Sequence, residues 1–575
     1  MSKFIIYQVL PRLFGNYNTT NKQAGTIEEN GCGKFNSFTT KALKEIKSLG
    51  VTHIWYTGII RHATKTDYSA FGIPKNHSGT VKGEAGSPYA ITDYYDVAPD
   101  LAEVVSERMS EFEKMVKRTH KAEMKVIIDF VPNHVAREYR SIAKPDGVAD
   151  LGENDNPDWA FSPLNNFYYI PNQHFAPQFD TFGYHEFPAK ATGNDILHPS
   201  PTVDDWYETI KLNYGVNYAE GLQKQFDPVP DTWHKMLDIL LFWAKKGVDG
   251  FRCDMAEMVP VEFWHWAILR VKKQFPDTIF IAEVYNPAEY HNFISNGGFD
   301  YLYDKVGLYD TLRNITSRNH PARDITFAWQ SLRGIEDNML NFLENHDEQR
   351  IGSGFFCGDG ASAKPAMIVA ATLTRAPVMI YFGQELGERG MDSEGFSGLD
   401  GRTSIFDYWG IKSIQNWANN GKFNGKLLTQ EQKDLREFYK KLLNISLNEK
   451  AISEGVMYDL EYANYDNHNH KFDTHEQFAY FRKHKNELLL IAVNFYDRNL
   501  DTEIRIPAEA FQYLNLKEDL YFTCVNLLDE SEVIPPTTLS SLEPFNIHMP
   551  PWTGKILKFS KIPKPKIVER KLLKA

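Results

Sequence analysis

Three acidic residues carry the strongest chemical signal in the chain. Asp254 closes Gly250-Phe251-Arg252-Cys253-Asp254, Glu283 sits in Ala282-Glu283-Val284, and Asp347 ends Glu344-Asn345-His346-Asp347. A fourth segment, Asp129-Phe130-Val131-Pro132-Asn133-His134, adds another acid, an amide and an imidazole. Each segment lies at the end of a short β-rich apolar run, where a strand stops. Any one of them alone reads as a structural ion pair or a satisfied polar side chain. Together they ask for a shared purpose, because carboxylates are costly to bury without partners. Clustered carboxylates with neither metal nor thiol suit glycosidic bond cleavage: one acid protonates the leaving oxygen and another carboxylate attacks the anomeric carbon.

Such a cluster needs a frame that brings distant strand ends together. Up to about residue 400, strand-like runs alternate with amphipathic stretches, as in repeated βα units. The strands fall at 4–10, 52–56, 125–131, 250–253, 279–284, 299–303, 339–344 and 378–382, with helices such as 39–49 and 103–120 between them. Eight parallel strands, each followed by a helix, close most economically into a (β/α)8 TIM barrel, whose reactive residues gather at the C-terminal strand ends. Residues 1–135 and 216–445 are assigned to it. Residues 136–215, rich in Asn, Asp, Pro, Tyr and Phe, are too long for a structureless loop and are read as a small inserted domain after the third strand. Their aromatic residues, Trp159, Phe167, Tyr168, Tyr169, Phe175 and Tyr184, are read as mostly core, with some as sugar-stacking platforms. Alternating runs at 478–482, 488–494, 502–506 and 555–559 predict a C-terminal antiparallel β-sandwich over 446–560, with no strong helix signal; 561–575 is a basic surface tail.

Composition narrows the class. The 575 residues hold 63 Lys+Arg against 75 Asp+Glu, a net charge of −12, which argues against nucleic acid as a partner. With 42% hydrophobic and 24% charged residues the chain has globular character. No apolar run is long enough to span a bilayer. The four cysteines lie far apart with no CxxC pattern, and no leader segment is evident, so a cytoplasmic enzyme is expected.

The four segments, in this order and at these strand ends, resemble the signature regions of the α-amylase family, glycoside hydrolase family thirteen. The resemblance extends to Gly86-Ser87-Pro88-Tyr89, to Lys211-Leu212-Asn213-Tyr214 at the close of the inserted domain, and to Tyr381-Phe382-Gly383-Gln384-Glu385. It implies Asp254 as nucleophile, Glu283 as general acid/base and Asp347 as the carboxylate that stabilises the transition state. It further implies that His134 and His346 bind sugar hydroxyls, that Tyr89 stacks on the ring, and that Arg252 keeps Asp254 ionised while Asp129 orients Arg252. For Glu283 to act as an acid it must hold a proton near neutral pH. In the family, a residue placed as Asn133 often contributes to a calcium site joining barrel and insertion; no organic cofactor is implied. Asn16, Asn18 and Asn21 before Gly25 form a second oxygen-rich loop, read as an ordinary turn ahead of a second calcium site.

The resemblance implies a retaining hydrolase of α-1,4-glucosidic bonds in starch-derived glucans or maltooligosaccharides. Adjacent barrel strands, about 4.8 Å apart, agree with the close carboxyl spacing of a retaining enzyme. Transglycosylase, cyclomaltodextrinase-like, neopullulanase-like and phosphorylase activities share the first half-reaction and stay open; a non-catalytic glucan-binding barrel is the reading from a different class. The pattern departs from long-glucan enzymes after the nucleophile, where a Lys-His pair is replaced by Glu257-Met258. Glu257 either reaches a leaving-side hydroxyl or caps the helix that follows.

Overall fold

The computed structural model describes residues 3–465, 469–518 and 520–563. Eight strands form one parallel sheet: β1 (Ile5–Val9), β2 (His53–Tyr56), β3 (Lys125–Phe130), β4 (Gly250–Cys253), β5 (Ile279–Ala282), β6 (Tyr301–Tyr303), β7 (Met339–Leu340) and β8 (Val378–Tyr381). Their order is β7-β6-β5-β4-β3-β2-β1-β8, and a parallel bridge between Asn341 and Val378 joins the two ends into a ring. This is the (β/α)8 barrel. Helices cover its outside because their apolar residues recur on one face. In α1 (Thr40–Lys47) Ala42, Leu43 and Ile46 are buried, and the Thr39 hydroxyl caps the start by accepting from the Ala42 amide at 3.2 Å. Four more line the same shell: α2 (Arg108–Lys121), α3 (Asp231–Lys245), α4 (Val261–Gln274) and α5 (Gln430–Asn448).

The two-residue period of a strand sorts side chains between two cores. In β3, Val126 and Ile128 join the outer core beneath the helices, while Ile127 packs inside with Ile6, Trp55, Ile281, Tyr303, Leu340 and Met379. The next inward position after Ile127 is Asp129. In β4, Phe251 faces the outer core, so Arg252 faces inward, in register with Asp129 on one side and Ile281 on the other. The pleat therefore changes the barrel interior from apolar to charged within one layer.

Between β3 and α3 the chain makes short antiparallel pairs and, among the described residues, no helix but a single 3-10 turn at Tyr218–Glu220: His134–Ala136 with Thr209–Lys211, Tyr169–Ile170 with Ala189–Lys190, and Val216–Asn217 with Gln223–Lys224. Side chains supply the order that periodicity does not. Arg137 donates to Glu186 at 2.8 Å and lies over the Phe175 ring at 3.7 Å. Asp155 accepts from the amides of Asn166 and Phe167 and from the Tyr169 hydroxyl. Phe167, Tyr168, Tyr169 and Phe175 are buried, whereas Trp159 is exposed.

The C-terminal part forms a six-stranded antiparallel sheet, β9-β10-β11-β16-β13-β14, and a separate pair, β12 with β15. The strands are β9 (Val456–Asp459), β10 (Gln477–His484), β11 (Glu487–Asn494), β12 (Leu500–Ile504), β13 (Tyr521–Asn526), β14 (Ile534–Thr538), β15 (Phe545–Met549) and β16 (Thr553–Ile562). They enclose their own apolar cluster, and short helices at Glu461–Asn464 and Ala508–Tyr513, too short to leave a strong periodic signal, interrupt them. Of the tail expected at 561–575, Lys561 and Ile562 belong to β16, and residues 564–575 lie outside the described ones. No helix among the described residues is long and apolar enough to cross a membrane.

The inner core is the floor on which the charged layer rests. Ile127→Ala is expected to lower unfolding free energy by about 2–5 kcal/mol, read by chemical denaturation; a change within about 0.5 kcal/mol, the range of ordinary surface substitutions, would show that this floor is not closely packed.

Candidate active site

At the C-terminal mouth of the barrel the guanidinium of Arg252 is the hub. It is fully buried. Its Nη1 lies 2.7 Å from Asp254 Oδ1 and 3.5 Å from Asp129 Oδ1, and its Nη2 lies 2.7 Å from Glu283 Oε1. Nε donates to the Tyr303 hydroxyl at 3.0 Å. The planar cation also sits 5.4 Å from the ring centroids of Trp55, Tyr89 and Tyr303, within cation–π range. One planar fork thus reaches both Asp254 and Glu283. The sequence pairs Arg252 with Asp254 and Asp129; the contact to Glu283 is additional.

Glu283 is held from three sides. Besides Arg252, its Oε1 accepts from the Tyr285 hydroxyl at 2.7 Å and its Oε2 accepts from the Met255 amide at 2.8 Å. Asp254 is buried, and that burial pushes its pKa well above the usual carboxylate range; Arg252 opposes the shift and the charge of Glu283 adds to it. Asp129 is raised to about 6 by burial, against the pull of Arg252 and of hydrogen bonds from Trp55, Gly58 and Tyr89.

His346 and Asp347 come from the loop after β7. Gln8 Nε2 donates to His346 Nδ1 at 2.8 Å, which leaves the ring proton on Nε2, facing the Tyr89 hydroxyl at 2.5 Å and Asp347 Oδ2 at 3.1 Å. The Tyr89 hydroxyl in turn donates to Asp129 Oδ1 at 3.2 Å, and its ring stacks on His346 at 5.3 Å. Burial drives the His346 pKa well down, with Arg252 adding to it, so the ring is neutral. Asp347 is raised to about 7 by burial first and by Glu283 second.

Asp129, Arg252, Asp254, Glu283, His346, Asp347 and Tyr89 therefore meet in one linked network. His134 lies beside it: its Nδ1 faces Asn133 Nδ2 at 3.1 Å, and burial pushes its pKa down to about 3, opposed by a hydrogen bond to the Tyr89 backbone. Glu257 does not cap α4, whose N-cap is Pro260 with no side-chain bond; its Oε2 accepts from the Tyr285 and Asn286 amides at 3.0 Å each. Gln8, Trp55, Tyr285 and Tyr303 were missed in the sequence. Gln8 alone left a trace, a polar residue at an inward position of the otherwise apolar β1.

The calcium expectation at Asn133 does not fit the side chains present. Asn133 Oδ1 accepts from the Lys211 ammonium at 2.5 Å, and its Nδ2 donates to the Gly193 carbonyl at 2.8 Å. No group of three or more His, Cys, Asp or Glu among the described residues is arranged to hold a metal ion. In the second oxygen-rich loop the amides serve the backbone: Asn16 donates to the Asn30 and Trp409 carbonyls, and Asn21 exchanges hydrogen bonds with Gly410.

Comparison with known proteins follows the same lines. Residues 8–517 match the family model "Alpha amylase, catalytic domain". Alpha-amylase 3 of Dictyoglomus thermophilum is 27% identical over 392 residues, covering 64% of this chain and 68% of that protein. Neopullulanase 2 of Thermoactinomyces vulgaris is 23% identical, covering 67% of this chain and 57% of that protein. A cyclomaltodextrinase of Thermoanaerobacter pseudethanolicus is 21% identical, covering 86% of this chain and 70% of that protein. Among solved structures, a maltogenic alpha-amylase from Thermotoga neapolitana shares the fold at TM-score 0.60 and 20% identity, over 97% of this chain and 98% of that one. An alpha-amylase from Geobacillus thermoleovorans does so at TM-score 0.62 and 19% identity, also over 97% and 98%.

The hub makes a stability prediction with a defined pH dependence. Arg252→Met leaves Asp254, Glu283 and Asp129 without their cation and is expected to destabilise the fold by about 3–5 kcal/mol at pH 8. Protonation then becomes the way to relieve the repulsion. Because burial already raises Asp254 and Asp129, the deficit should shrink as pH falls towards about 5, where the ordinary carboxylate range begins. Denaturation at both pH values reads it; a deficit independent of pH would contradict the assigned role of the guanidinium.

Proposed function

Since the chain belongs to the α-amylase family of glycoside hydrolases, we propose that it is a retaining enzyme that cleaves α-1,4-glucosidic bonds of maltooligosaccharides or starch-derived glucans. In this reading Asp254 attacks the anomeric carbon and forms a covalent glycosyl-enzyme. Glu283 gives its proton to the leaving oxygen, then takes one from the incoming water. Asp347, with His346, binds the sugar on which positive charge develops, and Tyr89 and His134 line the same subsite. The observation that carries the proposal is the single Arg252 guanidinium, 2.7 Å from both Asp254 and Glu283. Both carboxyl groups on one small cation is an arrangement that the close carboxyl spacing of a retaining enzyme allows. No organic cofactor enters this chemistry. Relatives named neopullulanase and cyclomaltodextrinase support testing branched and cyclic as well as linear glucans, and transfer to a sugar acceptor as well as to water. A cytoplasmic setting belongs to the reading, supported by four cysteines that stand as unpaired thiols.

Incubation with maltoheptaose, read by reducing ends and product lengths, tests the activity. Asp254→Asn should cut kcat/KM by several powers of ten with folding retained, and Glu283→Gln should do the same for poor leaving groups. More than about a hundredth of activity left in Asp254→Asn would refute the nucleophile role. The pH profile is a separate check. Asp129, raised to about 6, and Asp347, raised to about 7, gain protons as pH falls through that window. The acid limb of kcat/KM should therefore lie above the ordinary carboxylate range, because burial raises Asp254 as well as Asp129; a midpoint near the ordinary carboxylate value of about 4 would contradict the burial argument.

A further inference from the structure

Lys211 sits where the inserted segment meets the barrel, and its side chain is only 3% exposed. Its ammonium carries three protons. Nζ donates to Asn133 Oδ1 at 2.5 Å, lies 2.7 Å from Asp195 Oδ1, and reaches the Met258 carbonyl at 3.4 Å. These three oxygens come from three separate parts of the chain. Asn133 leaves β3, Asp195 belongs to the inserted segment, and Met258 ends the turn that follows Asp254. A divalent ion at this junction would need the same oxygens, and the ammonium already occupies them in both space and charge.

We propose that Lys211 is a built-in cation that ties the inserted segment to the turn after Asp254, and that this junction works without calcium. The turn is the lever. From it, the Met255 amide donates to Glu283 Oε2 at 2.8 Å, and Glu257 holds the Tyr285 and Asn286 amides at 3.0 Å each. Tyr285 returns to Glu283 Oε1 at 2.7 Å. Lys211 is thus a positioning residue: it touches neither Asp254 nor Glu283, yet the Met258 carbonyl it holds belongs to the turn that follows Asp254 and holds Glu283. The structural claim stands apart from the proposed glucan chemistry; the effect on turnover rests on it.

The experiment uses the full chain. For the unmodified protein, Tm should be the same after exhaustive EDTA treatment as after calcium is added back. Lys211→Met should lower Tm by several degrees and speed proteolytic cleavage within residues 136–215. It should also reduce kcat on maltoheptaose at least tenfold while KM changes less. Should that variant not fold, Asp195→Asn, which keeps the lysine and removes the negative charge paired with it, should speed the same cleavage to a smaller degree. A Tm that drops in EDTA and returns with calcium would overturn the proposal, as would Lys211 and Asp195 variants with unchanged Tm and cleavage. Absence of glucan turnover in the unmodified chain would sink the proposed function and leave the Tm and proteolysis results to decide the lysine's role.

Discussion

A buried guanidinium surrounded by acids is the constraint on which the molecule depends. Taking an ion out of water costs several kcal/mol even after relaxation, and Arg252 is fully buried with Asp254, Glu283 and Asp129 around it. The arrangement persists because each charge neutralises another and because the planar fork satisfies more than one partner at once. Three aromatic rings complete the enclosure on the sides the carboxylates leave open. Three acids on one cation is an excess of negative charge; burial works against it by raising Asp254 and Asp129, and Arg252 opposes that rise. A site poised in this way favours the positive charge that develops on a sugar ring during bond cleavage.

The barrel supplies the precision. Strand register sets Arg252 opposite Asp129, and the pleat turns both inward directly above an apolar floor. A slip of one residue in β4 would send Arg252 outward and Phe251 into the mouth. Loops then add what strands cannot. The turn after Asp254 and the loop after Glu283 brace one another through Glu257, Met255 and Tyr285, so the two acids form one mechanical unit. On the opposite wall, Gln8, His346 and Tyr89 form a chain of hydrogen bonds that ends on Asp129.

The parts of this architecture legible in the sequence are those with short-range signatures. All eight barrel strands lie within the runs expected from their β-branched and aromatic residues, although Phe299 and Asp300 precede β6 rather than start it. The acids were legible because an Asp or Glu at the end of an apolar strand has few structural reasons to be there. Partners that depend on distant register were not: Tyr285 reads as a loop aromatic and Tyr303 as core, and only the folded chain shows their hydroxyls on Glu283 and Arg252. Lys211 was read as part of a motif, not as an ion, because its three oxygens lie 47 to 78 positions away or in a loop without periodicity. In the C-terminal sheet, β14 begins Ile534-Pro535-Pro536, and two prolines argue against a strand unless it lies at an edge, which is where β14 is found.

The account comes down to whether Asp254 and Glu283 act on a single anomeric carbon. Trapping with a slow fluorinated α-glycosyl fluoride, followed by peptide mapping, tests this directly. The prediction is one glycosyl adduct, on the peptide that carries Asp254, accumulating when Glu283 is replaced by Gln. An adduct on another residue, or inverted product with no adduct at all, would contradict it.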